Sequence, residues 1–143
     1  MSWGKILDSS FDEETGYSYV EFETKYGIIG AEAYCHPNDM DIMNSWDGFR
    51  ICELRCHLEF ERFNMIALRE RYLATEHVLN TLAWNYEGEV IDSLNKQSKA
   101  AHKLYKKARK LYYRHRANLN DTIQNILRQR REIRSREELF DNN

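Results

Sequence analysis

The densest cluster of reactive side chains is Cys35-His36-Pro37-Asn38-Asp39-Met40-Asp41, followed by Cys52 and by Cys56-His57. Thiolates and imidazoles at short spacing are the donors of a structural zinc ion, yet such sites combine one close-spaced knuckle with a second ligand pair. Cys52 and Cys56 stand four apart, on one helix face, where small buried cysteines act as core. Core packing is therefore the expectation, and no metal is assigned. Asp39, Asp41 and Asp47 lack the glycine-centred loop of a calcium site and read as caps at helix starts. His36, His57, His77, His102 and His115 belong to no motif that sets a serine or cysteine beside a base. Neither GxGxxG nor GxxxxGK with a following Ser or Thr is present. The residues point to no enzyme, no catalytic group and no cofactor.

A second pattern is richer. Lys99, Lys103, Lys106, Lys110 and Arg114 recur every three or four residues, a basic edge on a helix. Tyr105, Arg109, Tyr112 and Arg116 form a neighbouring row in which aromatic rings and guanidinium groups alternate. Tyrosine rings stack on bases, and guanidinium forks grip phosphate oxygens while stacking on planar rings. The plainer alternative is that the two tyrosines flank an apolar seam and the cations form its solvated rim. Trp84 and Tyr86 lean over the same surface or cap the core.

Charge sharpens the contrast along the chain. Of 143 residues, the first 95 carry 18 acidic against 7 basic side chains, whereas residues 96–136 carry 14 Lys and Arg against Asp121 and Glu132. A formal net charge of −2 thus conceals segregated fields, and a basic segment of this kind attracts a polyanion or an acidic surface. Apolar runs stay far below the ~18 residues that span a bilayer, and no signal-type stretch follows Met1. Three cysteines without secretory context argue for reduced thiols. The expected location is cytoplasmic, with no membrane partner.

The elements that hold these residues follow from glycine and proline, which punctuate the first third and then nearly vanish. Tyr17 to Thr24 alternates Val20 and Phe22 with Tyr19, Glu21 and Glu23, the period of a half-buried strand. Lys25-Tyr26-Gly27 turns it into a second run from Ile28 to Tyr34, and Lys5-Ile6-Leu7 supplies a third antiparallel strand. Pro37 opens a short helical turn. From Phe49 to Glu87, Ile51, Leu54, Leu58, Met65, Tyr72, Leu79 and Leu82 make an amphipathic stripe, and Gly88 suits its C-terminal cap. Ala101, Leu104, Ala108, Leu111, His115, Leu119, Ile123 and Ile126 mark the seam of a second long helix. The expectation is a single α+β domain over 1–143: strands in 1–36, a turn and first long helix in 37–87, and a long basic helix in 89–139. Seams of this length outrun what three strands cover, which predicts a homo-oligomer.

The residues Cys35-His36-Pro37-x-Asp39-x-Asp41 and Gly48-x-x-Ile51-x-Glu53-x-Arg55 resemble a family of small bacteriophage proteins, the anti-Thoeris sponge proteins of the first described type. The close match covers residues 27 to 56, and this chain departs from the family's alanines at Cys52 and Cys56. The resemblance implies binding without turnover of a cyclic nucleotide immune signal, glycocyclic ADP-ribose, by a homodimer, with a hexamer that also traps cyclic oligonucleotides as the alternative. It further implies that Arg109 and Arg116 hold the diphosphate, that Tyr105, Tyr112 or Trp84 stacks on adenine, and that Asn95 hydrogen-bonds near Gly88. Arg55 lies inside the matching motif, where pairing with Glu59 is its plain role. The rival reading is a nucleic-acid-binding or regulatory helical protein that uses the basic segment.

Overall fold

A computed structural model describes residues 3–35, 45–83 and 88–141. Three antiparallel strands, β1 (Lys5–Asp12), β2 (Tyr17–Thr24) and β3 (Gly27–Tyr34), lie in the order β1-β2-β3 and are followed by two long helices, α1 (Ser45–Leu82) and α2 (Glu89–Asp141). The fold is α+β. Residues 36–44, which include His36, the Pro37 turn, Asp39 and Asp41, lie outside the described residues, as do Trp84 and Tyr86. None of the described helices is long and apolar enough to cross a membrane. The described chain falls into two compact units, residues 1–60 with 115–143, and residues 61–114.

In the first unit the sheet follows directly from alternation. Ser18, Val20 and Phe22 are buried, and across the ladder they face Ala33, Ala31 and Ile29. Gly27, at φ 108°, follows the two-residue turn Lys25-Tyr26, and the Thr24 hydroxyl donates to the Gly27 carbonyl at 2.8 Å. Gly16, at φ 71°, closes the other turn by donating its N–H to the Asp12 carbonyl at 2.8 Å. β1 is an edge strand whose register shifts between Ile6 and Asp8. Such a bulge twists an edge away from further pairing.

α1 crosses this sheet on a stripe of small residues. Gly48, Cys52 and Cys56 step by four, and a Cβ at position 48 would overlap the Ser18 side chain. Both thiols are fully buried: Cys52 Sγ points at the Ser18 carbonyl oxygen at 3.5 Å, and Cys56 Sγ at the Val20 and Ile29 carbonyl oxygens at 3.7 and 3.8 Å. These cysteines are core, as their spacing predicts. Ile123 and Ile126 of α2 pack on the same cluster, where the Trp3 ring lies against Phe22 with centres 4.6 Å apart and planes tilted by 34°. Within this unit Asp47 meets Arg130 and His57 meets His115, so α1 and α2 run antiparallel.

Three expectations change. α1 begins at Ser45, so Asp47, expected as a cap at a helix start, sits in the first helical turn and binds Arg130 through two hydrogen bonds of 2.8 and 3.0 Å. Gly48 consequently lies inside the helix, where close approach to the sheet requires the missing Cβ. Gly88, at φ 76°, accepts the Asp92 N–H at 3.0 Å and so starts α2. The α2 seam is also shifted. Leu104 and Leu111 are 46% and 40% exposed, while Ser98, Ala101 and Tyr112 are buried and Tyr105, Ala108, His115 and Leu119 are half-buried. The stepping 98-101-105-108-112-115-119 alternates three and four, as a packed helical seam requires. Small residues at 98, 101 and 108 leave the volume that the two tyrosines fill.

Candidate functional site

The second unit, residues 61–114, carries the aromatic and cationic groups. α1 contributes Tyr72, and α2 contributes the ring face that meets it. The Tyr72 ring stacks on His102 at 4.5 Å with the planes 28° apart, and on Tyr105 at 6.5 Å with 23° between them. Separations of this order are those of offset aromatic stacking. Hydrogen bonding to Glu76, with a smaller contribution from desolvation, raises the Tyr72 phenol above its ordinary value and keeps it a donor.

One turn along α2 from Tyr105, the Arg109 guanidinium carbon lies 5.9 Å from the centre of the Tyr113 ring. That is cation–π range. Tyr113 is itself set edge-on to Tyr112, with ring centres 5.2 Å apart and planes at 65°. The buried Tyr112 therefore supports Tyr113, and Tyr113, 48% exposed, supports Arg109. On an α-helix the neighbours of position 109 are 105, 106, 112 and 113. The exposed Arg109 fork is thus framed by two tyrosines that flank its row, by Lys106 and by buried Tyr112. Five guanidinium N–H donors beside a half-exposed tyrosine ring can hold phosphate oxygens while a planar ring stacks alongside.

The expected set divides accordingly. Arg109 and Tyr105 belong together on this face. Tyr112, expected to stack on a ligand, is 8% exposed and packs into the seam because 112 continues the three-four stepping of buried positions. Asn95 is exposed in the second turn of α2. Arg116 is exposed and belongs to the first unit. Arg55 also belongs there: its Nη1 donates to the Glu32 carbonyl at 2.6 Å, tying α1 to β3. Trp84 lies outside the described residues.

The sequence reading missed Tyr113, Tyr72 and His102. Tyr113 is adjacent to Tyr112, and only the phase of the seam tells which of the two faces outward. Tyr72 reads as one apolar position of α1, and its stacking on residues thirty positions away leaves no local signal. The second stripe, Lys99, Lys103, Lys106, Lys110 and Arg114, is exposed along its whole length, as its polarity predicts. No protein-family model, curated protein or solved structure matches the chain.

Proposed function

We propose that the chain binds a phosphate-bearing, ring-containing small molecule on the Arg109 face and holds it without chemical change. The observation that carries this reading is the Arg109 guanidinium laid over the exposed Tyr113 ring, with Tyr105 and Lys106 one turn away. An arginine there contributes little to folding, whereas it offers a charged fork already ordered for a diphosphate. The resemblance of residues 35–41 and 48–55 to anti-Thoeris sponge proteins narrows the ligand to a cyclic nucleotide immune signal, glycocyclic ADP-ribose. In that role the protein is a homo-oligomeric phage product in the cytoplasm of an infected bacterium, and it removes the signal by sequestration.

A sponge must bind at nanomolar affinity or better, about −12 kcal/mol. Calorimetric titration with glycocyclic ADP-ribose, followed by heat release and chromatography of the ligand, tests the reading. Tight binding with intact recovery supports it, and a hydrolysed product overturns it. Arg109→Ala should weaken affinity by at least about tenfold with an unchanged melting temperature, the loss of a charge-assisted hydrogen bond worth about 1.5–3 kcal/mol. Unchanged affinity in Arg109→Ala would remove the site assignment. If the nucleotide does not bind and a DNA duplex does, with steep salt dependence, the basic helix is a nucleic-acid surface and the sponge reading fails.

A further inference from the structure

The outward side of α2 in the second unit takes no part in this function. Residues 96–114 contain eight Lys and Arg and neither Asp nor Glu. Ala100, Lys103, Leu104, Lys107, Leu111 and Arg114 follow one another at helical spacing, so they share one side of α2, and all six are exposed. Lys96, one turn before Ala100, extends the row and is exposed as well. Leu104 and Leu111 stand two turns apart, about 10 Å along the axis, with Lys107 between them. The buried positions Ser98, Ala101 and Tyr112 hold α2 by a different side. Among the described residues the cations of this face have no carboxylate partner. Arg109 follows Lys107 by two positions, about 200° around the helix, and so points away from the face.

We propose that this face lays α2 on the surface of an anionic lipid bilayer, with Leu104 and Leu111 entering the headgroup boundary and Lys103, Lys107, Lys110 and Arg114 meeting lipid phosphates. Charge complementarity selects the sign of the partner. A face of uncompensated cations about 27 Å long repels a second copy of itself and attracts a negative surface. The leucines select the kind of surface. A duplex backbone satisfies the cations and leaves both leucines in water. A bilayer takes both groups, because leucine enters the acyl boundary while lysine stems lie along it with their ammonium groups among the phosphates. Lying on a membrane differs from crossing it, which none of the described helices is long and apolar enough to do. The expectation of no membrane partner follows from the absence of a crossing run and does not bear on surface contact. With Arg109 on another side of the helix, the small-molecule face stays open to water.

The test floats the full chain with vesicles of equal parts phosphatidylglycerol and phosphatidylcholine, against vesicles of phosphatidylcholine alone. The expected result is binding to the anionic vesicles only, weakening as salt screens their surface. Lys103→Gln, Lys107→Gln and Lys110→Gln together should lower partitioning by about 100-fold, since each cation near an anionic surface contributes about fivefold. Lysine and glutamine have similar helix propensity, so the melting temperature of this triple variant should not move. Lys5→Gln with Lys25→Gln, which removes exposed cations from the sheet, should leave partitioning unchanged. Leu111→Trp should gain fluorescence quenching by brominated acyl chains over the unaltered chain, a readout of depth that charge alone does not move. Equal binding to neutral vesicles, no binding to anionic ones, undiminished partitioning in the triple variant, or no added quenching in Leu111→Trp would each overturn the proposal. Binding of a DNA duplex at physiological salt by a chain that passes over the vesicles would make the face a nucleic-acid surface instead.

Discussion

Cys52 and Cys56 show how residue size and ionisation cooperate at one contact. Their thiols sit at the closest approach of α1 to the sheet, and burial pushes them up to about 11 and about 12 from an ordinary value of 9.0. A thiol that ionises later in the folded chain than in the unfolded one favours the folded state until its neutral form is lost. Their contribution to stability is thus fully present below about pH 9 and disappears as pH rises through about 11 and 12. Thermal melts should show the midpoint falling between pH 8.5 and 10.5, and falling less in a Cys52→Ala, Cys56→Ala variant (about these pH values the thiols of an unfolded chain titrate). Tyr19, raised to about 12 mainly by its hydrogen bond to Glu21, stays in both proteins, so the difference isolates the cysteines. An equal alkaline fall in both would remove the thiols from the account. The four-residue spacing made their burial legible in the sequence. What it concealed was Ser18, whose buried hydroxyl has no hydrogen-bond partner among the described residues and which forces glycine at 48.

At the scale of elements, strand alternation and the absence of glycine from 49 to 87 were enough to place three strands and two helices in order. The phase of α2 was not, because leucines outrank alanine and serine in any hydropathy count. Packing instead selects the small residues at 98, 101 and 108, which set the seam and turn Leu104 and Leu111 outward. Position 130 was likewise hidden, since an arginine late in a basic helix reads as rim. It reaches across 83 residues to Asp47, whose side chain is 5% exposed, and two hydrogen bonds hold the start of α1 against the far half of α2. The carboxylate in turn raises Arg130 above its ordinary value. Arg130→Met takes two hydrogen bonds from a buried carboxylate and should cost about 2–3 kcal/mol, less than a fully buried pair because Arg130 is a third exposed. Asp47→Asn, which keeps an acceptor, should cost about 1 kcal/mol. Denaturant titration of the two variants checks the order; equal losses would mean that the pair acts only as surface charge.

Several large apolar side chains are exposed among the described residues. In the first unit Ile6 is 57% exposed, Ile28 64% and Trp46 73%. Ile6 and Trp46 share the rim of a mainly apolar cleft of about 450 Å³ whose floor is Val20 and Phe22. Large exposed patches of this kind mark surfaces that another molecule covers. The proposed sponge needs a homo-oligomer, and a second copy of the chain is the occupant that need not be supplied from elsewhere. Replacement of Ile6 by Glu on the edge strand, together with Trp46→Glu, puts like charges on both copies of a two-fold contact, a repulsion that a monomer does not feel. Light scattering should give at least twice the chain mass for the unaltered protein and a single chain mass for the double variant. Both residues are more than half exposed, so the melting temperature of the separated chain should lie within a few degrees of the value for the unaltered protein diluted to its monomer, a change of about 0.5 kcal/mol or less. A monomeric unaltered protein would free that cleft for a different partner. An unchanged oligomer in the double variant would move the contact to the exposed apolar end of α2 at Leu139 and Phe140, 65% and 84% exposed.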